Sequence, residues 1–407
     1  MRWRLVVPLV LALCLSVLVV VKLGAAPDGT AVGAPTTSPS TGSQVPTGAA
    51  SPTGAPSQTI PMPDPAANKP QPAFSVTKLK PGEKPPQFVV LSFDGACKDE
   101  LFSHFMDVAD RNDARFTWFL SGLCLLGDKD RFQYHPPGKL PGSSAIGFAE
   151  APLIPGRIRN LSAAYLKGHE IGTHALGHFC GPTGVMTWNS ADWTSEMSQA
   201  YAFLDNWRAN LDKINPALSK GVPDLPFNAS TFRGIRTPCL EGHRNQMWPV
   251  WTKFGFKYDA SSAGELQWPI RIKHTKLWEF PLQLIDVVGF NKHALSMDYN
   301  FMCQQNNCST KATAAVSKRV EDSAYASYMK ALRSVCNGNR APLNIGNHLN
   351  TWINEAYTNA LTRFVDSARQ ACPDVQFVPF IDVAKWLDAQ DRSTLKALRN
   401  KGSQREK

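Results

Sequence analysis

Apolar positions along the chain fall into short runs that alternate with longer amphipathic stretches. FVVLSF, Phe88 to Phe93, has five apolar residues in six and predicts a buried strand. A helical stretch follows at Phe102–Asp110, and RFTWFL then reads as a second strand. SAAYLKG has helical character and precedes the strand-like HEIGTH. From Trp193 to Leu211 the apolar residues Met197, Ala200, Tyr201, Leu204 and Trp207 recur at helical intervals. TFRGIR, FKYDAS, LWEFPL, LNIGNH and VQFVPF are further strand candidates, and Tyr328–Val335 and Ala356–Ala368 predict helices. This alternation over residues 87–390 predicts one α/β domain with a largely parallel sheet, and its length favours a barrel.

The flanks differ. Residues 27–86 are mostly Pro, Thr, Ser, Gly and Ala. Such a segment has too little apolar surface to offset its chain entropy, so a disordered stalk is expected. In residues 1–26, Arg2 and Arg4 precede an apolar run from Leu5 to Val21. That pattern reads as a signal peptide or as a membrane anchor through residues 5–21, with Cys14 giving a weaker lipoprotein reading. All three readings place the domain outside the cytoplasm, secreted or membrane-anchored. Residues 391–407 are basic and polar and are expected to fray.

Cysteine usage agrees with export. Of nine cysteines, all but Cys14 lie in or beside the domain, and an even set predicts up to four disulfides, Cys303–Cys308 being suggested by proximity. A zinc cluster is disfavoured because no C-x-x-C pair occurs. The formal net charge of +10 suits an anionic surface, or is simply a solvated basic one. Zinc-finger spacing, an RNA-binding strand signature and a dense basic stripe beside aromatics are all missing, so nucleic acid is not expected as a partner.

In α/β barrels reactive side chains sit where strands end. The predicted strands end on Asp94, on His174 with His178 four residues on, on Arg236, on Asp259 and on His348. Acids, histidines and an arginine at successive strand ends form an active-site inventory. His174 and His178 are flanked by Gly172 and Gly177, so they belong on a turn that could bring both imidazoles to one cation.

Over about residues 88–387 the chain resembles the polysaccharide deacetylases, the NodB-homology fold of carbohydrate esterase family 4, and most of all the chitin deacetylases. LSFDGA stands where that family has Thr-Phe-Asp-Asp. GHEIGTHALGH resembles its His-Ser/Thr-x-x-x-His region, and GIRTPCLEG its Arg-x-Pro-Tyr/Phe motif. YDASS, LQWPI and LWEFPL are similar to its fourth region, and LNIGNHLNTW to its Leu-x-His motif. The resemblance implies a distorted (β/α) barrel of seven or eight strands. It also implies N-deacetylation of a polysaccharide containing N-acetylglucosamine, with a divalent metal, commonly zinc. Within it Asp94 stands as general base, His174 and His178 as metal ligands, and Arg236 as the partner of Asp94. His348 stands as general acid, Asp259 as a supporting partner and Trp268 as an apolar wall for the acetyl methyl. The backbone N–H of Cys239 would help hold the oxyanion.

One position departs. The family's second adjacent acid, the third metal ligand, is Gly95 here. Asp99 or Glu100 could replace it if the loop folds back, and a thiolate of Cys97 or Cys180 could do so if unpaired, although disulfides are expected for both. Two functions follow: an active metal-dependent deacetylase, or a deacetylase-like carbohydrate-binding protein with little turnover. A cysteine hydrolase built on Cys239 and His243 is the third and weakest reading.

Overall fold

The computed structural model describes residues 75–80 and 82–404. The leader of residues 1–26, Cys14 and the stalk up to residue 74 lie outside the described residues. The strands are β1 (Gln87–Gly95), β2 (Thr117–Leu120), β3 (Glu170–Thr173), β4 (Gly234–Ile235) and β5 (Tyr258–Gly264). Five more follow: β6 (Ile270–Arg271), β7 (Trp278–Val287), β8 (Lys292–Leu295), β9 (Leu343–His348) and β10 (Val375–Phe377). The helices are α1 (Asp99–Arg111), α2 (Ile154–Leu166), α3 (Ser190–Asp205), α4 (Trp207–Ile214), α5 (Pro216–Ser219) and α6 (Arg244–Lys253). They continue with α7 (Asp298–Asn306), α8 (Ala314–Asn337), α9 (Trp352–Ala371), α10 (Phe380–Ala389) and α11 (Arg392–Asn400).

β1 is the hub of the sheet. It pairs in parallel with β2, with β9, and through its first residues with β10. From β2 the parallel ladder runs through β3, β4 and β5 to β7, while β6 and β8 add antiparallel edges to β7. The sheet curls, and side chains bridge the gap between β7 and β9. The Gln283 amide donates to the Pro342 carbonyl at 2.8 Å and accepts from Asn344 N–H at 2.9 Å. Asn344 Nδ2 donates to Pro281 O at 2.9 Å, and Gly346 N–H to Ser296 O at 2.8 Å. The expected barrel is therefore met in part: a curled α/β sheet without a continuous backbone ladder closing it.

β1 explains the unbroken apolar run. Val89, Leu91 and Phe93 face the outer core, where Phe93 packs among Phe105, Phe116 and Trp118. Phe88 and Val90 face the interior cluster with Phe119, Tyr258, Phe280 and Phe380. A strand covered on both faces has no solvent side to carry alternating polar residues. By the same period of two, Ser92 and Asp94 fall on the inner face at its upper end. Two glycines keep that interior passable. A Cβ at Gly234 would lie 2.0 Å from the Tyr258 ring, and one at Gly172 would lie 2.8 Å from the Phe119 ring.

Several expectations need correction. The helix predicted over Trp193–Leu211 is two helices, α3 and α4, joined at Asn206. The tail expected to fray contains α11, and its end is tied down: Gln404 N–H donates to Leu266 O at 2.8 Å, and Asn339 Nδ2 to Gly402 O at 3.0 Å. The end of the stalk also docks on the domain. Leu79 is buried with its N–H on Gln390, and Arg340 donates to Pro85 O. The four disulfides are Cys97–Cys124, Cys180–Cys239, Cys303–Cys308 and Cys336–Cys372, as the even count and the short Cys303–Cys308 spacing suggested. Among the described residues no helix is long and apolar enough to cross a membrane; the apolar run at residues 5–21 lies outside them.

Candidate active site

Strand ends β9, β1, β2 and β3 meet at one end of the curled sheet. Asp94, Gly95, Ser121, His174, His178 and His348 line a cavity of about 200 Å³ there, with Ala96, Cys97, Lys98, Ile146 and Leu349. Asp94 and His348 are register partners on β1 and β9. A larger cavity of about 660 Å³ lies elsewhere, lined by Glu170 and Ile171 of β3, Arg233, Lys257 and residues of α10. It also holds His169, Glu170, Asp382 and Asp388, but it sits at the strand beginnings, the end of such folds that serves stability.

Asp94 is buried, and Arg236 Nη1 lies 2.8 Å from its Oδ1. The same nitrogen donates to Ser92 Oγ at 2.8 Å. The guanidinium is pinned over the rings of Phe119 and Phe380, at 4.9 Å and 5.8 Å. Burial alone would raise the Asp94 carboxyl. Arg236 first, then His174 and His348, hold it below the ordinary carboxylate range. His348 moves the other way. Burial pulls it down, but the Asp298 carboxylate, 2.7 Å from Nδ1, overcomes this and pushes it up to about 9. Asp298 opens α7 and is wholly buried. Its second oxygen accepts from His348 N–H and from Asn350 Nδ2. At neutral pH the cavity thus holds an ionised carboxylate beside a protonated imidazole, a proton acceptor next to a proton donor.

His174 and His178 bracket a loop whose ring centroids lie 5.1 Å apart. His174 Nδ1–H donates to Arg236 O at 2.7 Å, which assigns the proton to Nδ1. Its Nε2 is buried and has no hydrogen-bond partner among the described residues. Burial lowers both rings, His174 to about 4, so both are neutral with lone pairs free at neutral pH. The loop is held from behind by Glu196 of α3, whose Oε1 accepts Leu176 N–H at 3.0 Å and Gly177 N–H at 3.2 Å. Tyr134 donates to the same carboxylate. Burial pushes the Glu196 carboxyl up to about 7, despite these donors. An N-terminal capping box, Asn189 with Asp192, starts α3, the helix that carries the buried Glu196. Cys180–Cys239 ties the end of the loop to the segment after Arg236.

Do these residues fit a divalent cation? Two neutral imidazoles on one turn do, and the bare buried Nε2 of His174 is the atom such a site would use. Among the described residues, none of the groups that the sequence suggested as a third ligand is free for that role. Asp94 is committed to Arg236, and Gly95 carries no donor. The Asp99 carboxylate faces α2, where Asn160 Nδ2 donates to it at 3.1 Å, and Glu100 is exposed. Neither takes the role suggested for it. Cys97 and Cys180 are both in disulfides, so neither supplies a thiolate. The same pairing removes Cys239 as a nucleophile, and with it the cysteine-hydrolase reading.

Not every predicted site residue joins the cavity. Asp259 is buried against α6: its carboxylate accepts from the indoles of Trp248 (3.0 Å) and Trp251 (3.2 Å), and from Ser261 N–H. It touches neither Asp94 nor His348, and the carboxylate behind His348 is Asp298 instead. Trp268 is buried in the interior cluster, stacked on Trp386 with its indole N–H on Asn339 O, and it does not line the cavity. Cys239 has a positive φ of 55° and lies beside the site through its disulfide. Sequence reasoning missed Asp298 and Glu196. Asp298 follows β8 at the start of a helix, so the strand-end rule applied to SMDY would have found it. Glu196 has no local signal.

A scan against protein-family models finds no match, and no curated protein matches the sequence. Among solved structures, a candidate polysaccharide deacetylase from Mycobacterium smegmatis is 14% identical, with a TM-score of 0.44 over 77% of this chain and 96% of that one. The family 4 carbohydrate esterase domain of a multidomain xylanase from the hindgut metagenome of Trinervitermes trinervoides is 10% identical, with a TM-score of 0.39 over 75% of this chain and 92% of that one. A family 4 pseudoenzyme from Bacillus anthracis is 10% identical, with a TM-score of 0.37 over 78% and 71%. Identities and TM-scores this low carry neither activity nor substrate to this chain.

Proposed function

We propose that the chain is an exported polysaccharide deacetylase of the family its motifs resemble, hydrolysing N-acetyl groups on a chitin-like or cell-wall glycan with N-acetylglucosamine units. One observation carries this reading. Asp94 and His348 are register neighbours in one cavity, the first kept ionised by Arg236 and the second kept protonated by Asp298. Amide hydrolysis needs that combination, a base for the attacking water and an acid for the departing amine. In the proposed reaction Asp94 takes a proton from water as the water oxygen bonds to the acetyl carbon. The carbonyl electrons move onto oxygen. As they return, the carbon–nitrogen bond breaks, His348 gives its proton to nitrogen, and acetate and a free amine result. The backbone N–H of Cys239 is the proposed donor to the oxyanion. Arg236 keeps Asp94 charged and aimed.

His174 and His178 would hold a divalent cation, zinc by the character of the donors. When bound, it supplies charge that polarises the acetyl carbonyl and acidifies water. The contact of His174 Nδ1–H with Arg236 O leaves Nε2 as the lone-pair atom of the ring, which supports this role. Export is supported by the four disulfides, which persist in oxidising surroundings. Within this reading residues 1–26 are the leader or anchor.

Gly95 favours a second reading, a glycan-binding relative with little turnover, because it leaves two protein donors where the family has three. The test is acetate release from N-acetylglucosamine oligomers by the purified protein. Release abolished by a chelator and restored by Zn²⁺ supports the deacetylase. Oligomer binding without acetate supports the second reading and overturns the first.

A further inference from the structure

Of the residues lining the cavity, two have a buried side-chain atom with no hydrogen-bond partner among the described residues: His174 Nε2 and Ser121 Oγ. Buried polar groups are normally satisfied, and an unmet one is destabilising. Two such atoms beside one cavity point to a shared occupant.

They are cross-strand neighbours. β2 and β3 are in register at Leu120 and Thr173. Two hydrogen bonds carry that pairing one residue on: His174 N–H to Leu120 O at 2.8 Å, and Gly122 N–H to Ala175 O at 3.1 Å. Ser121 therefore stands beside His174. Alternation puts both side chains on the inner face. Thr117 and Phe119 face inward, the first to Glu170 and the second to Arg236, so Ser121 follows them. Across the other ladder β1 pairs Gly95 with Leu120, which brings Gly95 to the residue before Ser121.

The chemistry of the two atoms narrows the occupant. His174 Nδ1 holds the ring proton against Arg236 O, so Nε2 offers only a lone pair. Ser121 Oγ also has lone pairs to offer. Two adjacent donors of electron density fit an electron-poor guest. Serine hydroxyls serve as ligands to divalent cations elsewhere, as in phosphate-binding loops. We infer that Ser121 Oγ is the third protein donor to the cation of the His174–His178 pair, in place of the carboxylate that Gly95 lacks. This rests on reading the histidine pair as a metal centre. A neutral hydroxyl binds more weakly than a carboxylate, so the centre is a loose one that leaves the cation more of its positive charge.

The test uses the full chain, stripped with a chelator and titrated with Co²⁺ by equilibrium dialysis and visible absorption. The wild type is expected to bind one Co²⁺. His174→Ala abolishes binding. Ser121→Ala weakens it about 10- to 100-fold, the range seen when a supporting ligand contact is removed. Ser121→Asp tightens it and shifts the absorption bands, a change that a merely structural role would not produce. Thermal unfolding establishes that each variant is folded. Wild-type affinity and bands in folded Ser121→Ala, or in Ser121→Asp should the alanine variant not fold, overturn the role of Ser121 and leave the histidine pair standing. A wild type that binds no Co²⁺ overturns the metal centre, and this inference with it.

Discussion

Asp94 and His348 stand side by side on β1 and β9, yet their protonation is displaced in opposite directions, Asp94 down by Arg236 and His348 up by Asp298. Each lies within hydrogen-bonding distance of its own oppositely charged partner. Both would otherwise lose their charge on burial.

Acetate release should therefore persist through neutral pH and fall as pH rises through about 9, where His348 loses its proton. Asp298→Asn removes the charge that raises His348, so the alkaline limb should move down toward the ordinary histidine range of about 6.5. A pH profile of kcat/KM reads this directly. An alkaline limb that does not move in Asp298→Asn would show that His348 is not the acid. In stability terms the raised His348 contributes most below its unfolded value, and the contribution is lost as pH rises through about 9.

Arg236→Met should cost about 3–5 kcal/mol, because it leaves the buried Asp94 carboxylate without its partner. The double variant Arg236→Met/Asp94→Asn should recover part of that loss while staying inactive. Urea unfolding at neutral pH measures both. For Asp94 the sign is the usual one for a lowered carboxyl. Its contribution is present above about 3.9 and disappears as pH falls through the folded value. Asp94→Asn alone should reduce turnover by about 10²–10⁴-fold, the contribution expected of a general base.

Gly95→Asp tests the missing ligand. A Cβ there meets only Cys97 Sγ, at 4.0 Å, so there is room. The φ of 89° is unfavourable for a side chain, and about 1–3 kcal/mol of stability should be lost. Co²⁺ affinity should nevertheless rise. Gly95→Asn carries similar strain without the charge and should raise it much less. Equal affinities in the two variants would mean that a carboxylate at this position does not reach the cation.

Glu196 should govern the loop between the two histidines. Glu196→Ala removes the acceptor for Leu176 N–H, Gly177 N–H and Tyr134, and each unmet donor costs about 1–3 kcal/mol. Glu196→Gln keeps one carbonyl oxygen for the two N–H groups and should retain most of the Co²⁺ affinity that the alanine variant loses. Hydrogen exchange at Leu176 and Gly177 locates the effect: fast in the alanine variant, slow in the glutamine one.

Much of this organisation was legible along the chain. FVVLSF is a strand in which apolar residues cluster, HEIGTH and LNIGNH carry only one or two large apolar residues each, and all three end near a chemically active side chain. The paired cysteines followed from an even count. Glu196, which escaped notice, had no local signature, and other readings failed because spacing along the chain does not fix contacts. The helix predicted over Trp193–Leu211 breaks at Asn206, although the apolar spacing runs through it. Asp259 looked like a site residue at a strand end, but two indoles of α6 claim its carboxylate. Trp268 lies near a motif in sequence and inside the interior cluster in space.

The order of side chains along each strand, and so which residues can share an inner face, was determined by the sequence itself through its period of two. Partnership was decided only by the tertiary structure. Asp298 reaches His348 across 50 positions of the chain, and Arg236 reaches Asp94 across 142. Strand register, a property of the whole sheet, brings Ser121 beside His174. Charges separated by such distances in sequence meet only once the sheet has curled, and burial there is what makes their pairing decisive for protonation.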